Sequence, residues 1–444
     1  MNTFYIRTFG CQMNDHDSER MSQLLVQQGL RQVDSPREAD LVIVNTCSVR
    51  AKPEHKALSE VGRHRQRKQA KGTRIILAGC VAQQEGDRLL SRAPYLDAII
   101  GPDAIPQLPE ILARIEDGHG PVIAVDLHDQ RNPCFIPLQE KRRGQISSLV
   151  TIMKGCDNFC AYCIVPYVRG REVSRPLGDI LEEVESLAAG GSREVVLLGQ
   201  NVNSYDDPDS GTGFPGLLAA LDRQGAVERI RFTTSHPKDL SPELIAAVSG
   251  LERVCEHIHL GLQSGSDRIL KLMNRGYTAA DFVDKARSFR QAAPGISITT
   301  DIIVGFPSEN DQDFQDTLDV VRSVAFDQAF SFKYSPRPGT AAARMADDVS
   351  PEVKAERLAI LQTLLDELEA NSLSNLSGQI LPVMVEGPSI RDPEAFRGRT
   401  RCNRVVNFTA PSPSPAGKTV AIRVVESRGH TLWGESGVDI HPLA

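Results

Sequence analysis

Three short apolar runs open the chain: Phe4-Tyr-Ile-Arg-Thr-Phe, Leu41-Val-Ile-Val-Asn-Thr and Ile75-Ile-Leu-Ala-Gly. Polar, helix-like stretches separate them, over Asp17–Gln28 and Pro53–Ala70. Strand, helix and strand at this spacing predict a parallel sheet covered by helices. From Asp126 to Ser147 the pattern turns polar, with Pro133, Pro137 and Lys141-Arg-Arg-Gly, and reads as a linker. A second alternation follows, with strands predicted over Leu149–Lys154, Glu194–Gly199, Arg229–Thr233, His257–Leu260, Ile296–Val304 and Ala329–Tyr334. Helical stretches such as Leu177–Ala189 and Gln312–Ala325 lie between them, and six such units fit an open or partial (β/α)6 barrel. Ser350-Pro351-Glu352 reads as a helix cap, and Leu358, Leu361, Leu365 and Leu368 give that helix one apolar face running to about Asn371. After Gly378 short alternating runs punctuated by glycine, proline and Asn403 predict a small all-β barrel of five strands. The fold class is therefore α/β with an appended β barrel, in three units: 1–135, 147–375 and 377–441.

Composition narrows the class of protein. In 444 residues, 41% are hydrophobic and 24% charged, which suits globular domains with real cores and excludes collagen, coiled coil and disorder. No apolar run approaches the roughly 18 residues of a membrane span. Met1-Asn-Thr-Phe-Tyr-Ile-Arg carries no basic-then-apolar leader. These features predict a cytoplasmic protein with no membrane partner. In that reducing compartment the nine cysteines are expected as thiols or metal ligands, not disulfides.

Cys11, Cys47 and Cys80 each follow one of the three opening runs. In a parallel sheet ligands bind outside the carboxyl ends of the strands, so these thiols are expected to converge on one rim. Three unrelated buried thiols are the other reading. A second set, Gly155-Cys156-Asp-Asn-Phe-Cys160-Ala-Tyr-Cys163, closes the first strand of the barrel. Structural zinc takes four ligands, and His257 or His259 would have to supply the fourth through folding. Three thiolates on one tight loop suit a 4Fe-4S cubane with one iron left open, a site for the amino and carboxylate groups of S-adenosylmethionine.

The Cys-x3-Cys-x2-Cys spacing at the end of a first barrel strand resembles the radical S-adenosylmethionine superfamily. Thr8-Phe-Gly-Cys11-Gln-Met-Asn14, Asn45-Thr-Cys47-Ser-Val-Arg50 and Ala78-Gly-Cys80-Val-Ala-Gln-Gln-Glu85 resemble the cysteine blocks of its methylthiotransferases. Gly398-Arg-Thr-Arg-Cys-Asn403-Arg-Val-Val-Asn-Phe and Arg428-Gly-His-Thr-Leu-Trp433-Gly resemble a TRAM RNA-binding module. The resemblance spans residues 3 to 440, and the wording around Cys11 is similar to the branch that modifies isopentenyl-adenosine in tRNA. Sibling branches act on threonylcarbamoyl-adenosine tRNA or a ribosomal-protein aspartate. A zinc-stabilised, non-catalytic RNA-binding protein is the rival from another class.

The resemblance implies methylthiolation of carbon 2 of isopentenyl-adenosine 37, next to the tRNA anticodon. Cys156, Cys160 and Cys163 would hold the 4Fe-4S cluster that cleaves one S-adenosylmethionine to a radical. Cys11, Cys47 and Cys80 would hold a second 4Fe-4S cluster that binds the sulfur, which a second S-adenosylmethionine methylates. A low-potential electron donor and a sulfur or iron–sulfur donor would serve a monomer. Tyr162 would pack on the adenine, Gln200 and Asn203 would bind the methionine end, Gln263 and Ser264 would face a ribose or carboxylate, and the backbone at Val304 would read adenine. Gly261 stands where His-x-Pro-Leu-Gln is common, and Ser308-Glu-Asn310 where Gly-Glu-Thr is common.

A net charge of −7 sits oddly with RNA until it is resolved locally. Between Arg50 and Arg74 nine Lys/Arg face two Glu. In the third unit, Arg397, Arg399, Arg401 and Arg404 alternate along one segment, with the first three expected on one strand face. Together with Arg428 they are the expected RNA contacts. Trp433 is expected in the core, with base stacking as its other role. Cys134, Cys255 and Cys402 are expected as plain thiols.

Overall fold

The computed structural model describes residues 1–48, 51–127, 135, 137, 145–390, 392, 394–409 and 416–436. Pro133, Cys134 and Lys141-Arg-Arg-Gly of the expected linker, and Arg50 of the basic run, lie outside the described residues. Among the described residues no helix is long and apolar enough to cross a membrane.

The first unit is a six-stranded sheet, parallel at every pairing, in the order Arg31–Gln32, Thr3–Thr8, Leu41–Thr46, Arg74–Gly79, Ala98–Ile100, Val122–Ala124. Leu41–Thr46 is buried along its whole length because both faces are covered. Strand alternation decides which side chain meets which layer. Leu41 and Ile43 pack with Met21 and Leu25 of the helix Gln12–Gln27, while Val42 and Val44 pack with Ala57 and Val61 of the helix Ala51–Lys71. Chain order reverses between Thr3–Thr8 and Leu41–Thr46, the switch point where such sheets open a crevice.

The second unit is a partial (β/α)6 barrel. Its strands run Ser147–Thr151, Glu194–Leu198, Arg229–Phe232, His257–His259, Ser297–Val304 and Gln328–Lys333. They form two parallel three-stranded sheets joined by the single bridges Ile230↔Val254 and Ser235↔Leu260. Helix Leu177–Ala189 coincides with the stretch read from the sequence, and Asp311–Val324 starts and ends one residue earlier. The predicted strand Leu149–Lys154 is instead broken at Ile152. Met153–Lys154 leaves the sheet and pairs antiparallel with Val173–Ser174, closing the base of the excursion that carries the three cysteines. Gly155 is required there. Its φ is +75°, and a Cβ would fall 1.9 Å from the Arg171 carbonyl oxygen. Helix Pro351–Ser374, capped by the Ser350 hydroxyl, sends Leu361 and Leu365 into the barrel core.

The third unit is a closed five-stranded barrel with its own core of Val383, Val385, Val406, Phe408, Ile422, Val424 and Leu432. It docks on the (β/α)6 unit through arginines. Arg404 donates to the Asp327 carbonyl and carboxylate, both at 2.7 Å, and Arg401 is bidentate to Glu256. In the other direction Arg229 and Arg231 donate to the backbone carbonyls of Arg399, Thr400 and Arg401.

Ser308, where the resembled family commonly has glycine, takes a left-handed backbone with φ +66° and is held by Arg268 at its hydroxyl and carbonyl oxygens. A β-branched side chain tolerates that region poorly. Ser308→Val should cost about 1 to 2 kcal/mol, while Ser308→Gly should cost little, because the strain at this φ is worth about 1 to 2 kcal/mol per residue. Urea denaturation of the two variants checks this, and equal losses would contradict it.

Candidate metal centres

Cys11, Cys47 and Cys80 stand just past the carboxyl ends of three adjacent strands. The loops close because glycine precedes two of the thiols. A Cβ on Gly10 (φ +147°) would lie 2.5 Å from the Cys47 Cβ, and one on Gly79 (φ +93°) 2.4 Å from the Thr46 oxygen. Buried amides lock the rim. Asn14 Nδ2 donates to Thr46 O at 3.0 Å, and Asn45 Nδ2 donates to Asn14 O at 2.8 Å and Ser18 Oγ at 2.9 Å. Hydrogen bonding with Cys47, aided by the Arg169 charge, brings the Cys11 thiol down to about 6, against the opposing effect of burial. Burial pushes the Cys80 thiol up, with Arg169 pulling the other way.

The second set is carried on the excursion after Met153–Lys154. Asn274 Nδ2 donates to the carbonyls of Asn158 and Phe159, and Ala161 N donates to Met273 O at 2.9 Å, which hold the loop in shape. Burial and the neighbouring Cys160 push the Cys163 thiol up to about 12, and burial above all pushes Cys156 to about 11. Thiols that resist ionisation side by side need a cation to become thiolates together, and a metal reverses that local logic. Among the described residues, no three His, Cys, Asp or Glu are grouped to hold a metal ion. A cubane spreads its thiolates over several irons, so two sets of three cysteines fit iron–sulfur clusters better than zinc.

The helix that follows the second set reaches the first set across the domain interface. Cys80 packs against Ile164 and Val168, which directly follow the second set. Arg169, next in line, forms a buried 2.6 Å ion pair with Asp17 of the first unit, and its charge acts on both Cys11 and Cys80. Lys154 pairs with Asp103 at 3.0 Å, and His16 Nδ1 lies 3.0 Å from Thr151 Oγ1. Sequence reasoning missed Arg169 and Asp17. The one available signal was that Arg169 lies six residues past Cys163.

The other expected site residues divide. Gln200 Oε1 accepts from Gly155 N, while its Nε2 is buried without a partner; Asn203 donates to His236 O at 3.3 Å and leaves Oδ1 buried without a partner. These two idle groups are what a polar ligand beside the cysteine loop would engage. The Tyr162 hydroxyl lies 3.4 Å from Arg275 Nη1. Gln263 has a left-handed backbone, φ +70°, and pairs on both sides through Asp301 O and Ile303 N. Ser264 is not free for a ligand, because its hydroxyl accepts from Ser266 N and meets Thr317. The Val304 carbonyl already accepts from Tyr334 N, since the neighbouring strand continues past it.

The expected RNA arginines also divide. Arg397 and Arg399 do share a strand face, and both pair with Glu386. Arg401 lies past the end of that strand, and Arg401 and Arg404 are turned inward, with donors taken by Glu256, Asp327 and Ser372. Both belong to the docking interface and not to an open RNA face. Trp433 is half-buried on the outer face instead of in the core, between inward-facing Leu432 and Gly434, with the Arg428 guanidinium 4.2 Å above its ring.

A partial (β/α)6 barrel with three thiols at the end of its first strand defines the radical S-adenosylmethionine class, and residues 150–321 match the model of the radical SAM superfamily. Residues 3–101 match the model described as Uncharacterized protein family UPF0004, and residues 375–436 match the TRAM domain. The radical S-adenosylmethionine methyltransferase TsrM from Kitasatospora setae, solved with cobalamin and a 4Fe-4S cluster, shares the fold at a TM-score of 0.55 and 15% identity, over 77% of this chain and 74% of that one. The tRNA-2-methylthio-N(6)-dimethylallyladenosine synthase of Syntrophus aciditrophicus is 48% identical over 433 residues, 97% of this chain and 94% of its own. Its Geobacter metallireducens counterpart is 48% identical over 98% of both chains. The chain belongs to the family of tRNA-2-methylthio-N(6)-dimethylallyladenosine synthases.

Two outcomes follow. With the Cys11 thiol lowered and those of Cys156 and Cys163 raised, iodoacetamide should label Cys11 before them in the iron-free chain at pH 7. Peptide mass spectrometry reads the order, and equal rates would contradict it. Arg404→Met should remove about 1.5 to 3 kcal/mol of stability by taking a charged hydrogen-bond partner from Asp327, which keeps Arg290 and Ile298 N, and an unshifted urea midpoint would release Arg404 from that role.

Proposed function

We propose that this protein installs a methylthio group on carbon 2 of isopentenyl(dimethylallyl)-adenosine 37 in tRNA. The observation that carries the reading is the packing of Cys80, of the first cysteine set, against the helix that directly follows the second set, in a chain 48% identical to named synthases over nearly its whole length. Cys156, Cys160 and Cys163 hold one 4Fe-4S cluster and Cys11, Cys47 and Cys80 another. When bound, the first supplies the electron that cleaves S-adenosylmethionine, and the second supplies an open iron for the sulfur that a second S-adenosylmethionine methylates.

The chain's own residues orient and enclose. The idle amides of Gln200 and Asn203 bind the polar amino-acid end of S-adenosylmethionine, Tyr162 walls its adenine, and Gln263 and the backbone near Val304 complete the pocket. Burial of Arg169, Asp17, His16 and Thr151 keeps water out of the interface between the first unit and the barrel. Bringing base, radical carbon and sulfur into one geometry is the protein's main contribution to the rate. On the outer face of the TRAM barrel Arg397, Arg399 and Arg428 contact tRNA. The units are taken as 1–135, 147–375 and 377–441, in a cytoplasmic monomer that draws on a low-potential electron donor and a sulfur or iron–sulfur donor.

Iron and acid-labile sulfide on anaerobically reconstituted protein test the cluster assignment. Wild type should carry about eight iron and Cys156→Ala/Cys160→Ala/Cys163→Ala about four. Wild type at about four and the triple variant at none would remove the N-terminal site. Mass spectrometry of tRNA nucleosides from a deletion strain tests the substrate. The methylthio group should disappear from isopentenyl-adenosine alone, and its loss from threonylcarbamoyl-adenosine instead would reassign the branch.

A further inference from the structure

Arg275 is buried, 5% exposed, in the loop that follows helix Asp267–Leu272. Each of its nitrogens is engaged. Nε donates to the Tyr277 hydroxyl at 3.0 Å, Nη2 to the Gly261 carbonyl at 2.7 Å, and Nη1 to Cys160 Sγ at 3.3 Å and the Tyr162 hydroxyl at 3.4 Å. None of the ion pairs found among the described residues includes it, and the groups that sustain its charge against burial are two phenols and the Cys160 thiol. A buried guanidinium without a carboxylate is costly, so a chain that keeps one must supply an anion elsewhere. Of the groups the guanidinium touches, Cys160 is the one assigned as a cluster ligand, so the anion within its reach is the cluster itself. His236, 3.9 Å from the same sulfur, adds no charge, because burial and Arg275 hold its imidazole neutral.

We propose that Arg275 sets the reduction potential of the cluster held by Cys156, Cys160 and Cys163, as a positioning residue that donates an N–H···S bond to Cys160 and is the buried counter-ion of the reduced state. The proposal rests on the cluster assignment above. Hydrogen bonds to the sulfurs and net charge are the protein's levers on such potentials. Adding one electron makes the cluster more negative by one charge, and a fixed cation in contact with a ligand sulfur favours that state. The fork to Tyr277 and Gly261 is what aims Nη1 at the sulfur. Lysine would keep the charge and lose the fork.

The test uses the full chain carrying Cys11→Ala/Cys47→Ala/Cys80→Ala, so that one cluster remains, with Arg275→Met and Arg275→Lys added separately. Iron and sulfide are counted first. The cluster is then poised with titanium(III) citrate, which gives up one electron per cluster reduced, and the reduced fraction is read by electron paramagnetic resonance. At the potential where the parent is half reduced, Arg275→Met should lower the ratio of reduced to oxidised cluster by about tenfold or more, and Arg275→Lys by less. A fully loaded Arg275→Met variant with the parent's ratio overturns the proposal. Should Arg275→Met not load iron, Arg275→Lys decides, and a ratio equal to the parent's overturns the hydrogen-bond role. A parent that binds no iron sinks the cluster assignment itself, and the proposal with it.

Discussion

Thiols meant to act as thiolates cannot simply be buried beside one another, since each ionised neighbour makes the next harder to ionise. The structure answers with permanent cations placed inside the packing. Arg169 stands between Asp17, Cys11 and Cys80, and Arg275 stands against Cys160. Both guanidiniums are buried, so their fields act at low effective dielectric and are little weakened by salt. The fold around them is arranged to make that burial tolerable. Arg169 is neutralised by a carboxylate from the other domain, and Arg275 is surrounded by hydroxyl and carbonyl acceptors.

That constraint explains the position of the domain interface. The segment that follows Cys163 is one of those that touch the first unit, and its residues Ile164, Val168 and Arg169 reach the rim where Cys80 sits. The first unit and the barrel are therefore held together by several buried contacts, of which this short helix supplies those beside Cys80. The third unit is held in the same currency. Arginines cross in both directions, to carboxylates at Glu256 and Asp327 and to backbone carbonyls at the end of a strand.

Much of this was legible in the chain. The period of apolar residues located the six barrel strands and three of the six strands of the first unit, because buried strands must carry it. The short strands Arg31–Gln32, Ala98–Ile100 and Val122–Ala124 were not read from it. The two cysteine sets announced themselves by placement after strands and by spacing. Where the reading failed, it failed on neighbours. The strand Leu149–Lys154 looked continuous because its apolar pattern continues, yet the chain leaves the sheet at Ile152 to form the base of the cysteine loop. Ser264 looked open at a strand end, yet its hydroxyl is held by Thr317 and Ser266. Arg401 looked like part of a nucleic-acid face with Arg397 and Arg399, because alternation reports that side chains point the same way and nothing of what stands opposite.

What the sequence determined by itself is local and periodic: element types, the order of three units, and the identity of the thiols. Each depends on residues near one another in the chain, where spacing is geometry. What only the tertiary structure decided is which charges are buried and with whom. Arg169 meets Asp17 across 152 positions, and Arg275 meets Cys160 across 115. No spacing rule reaches that far, because such partners are chosen by the packing of whole domains and by the cost of leaving a buried charge alone.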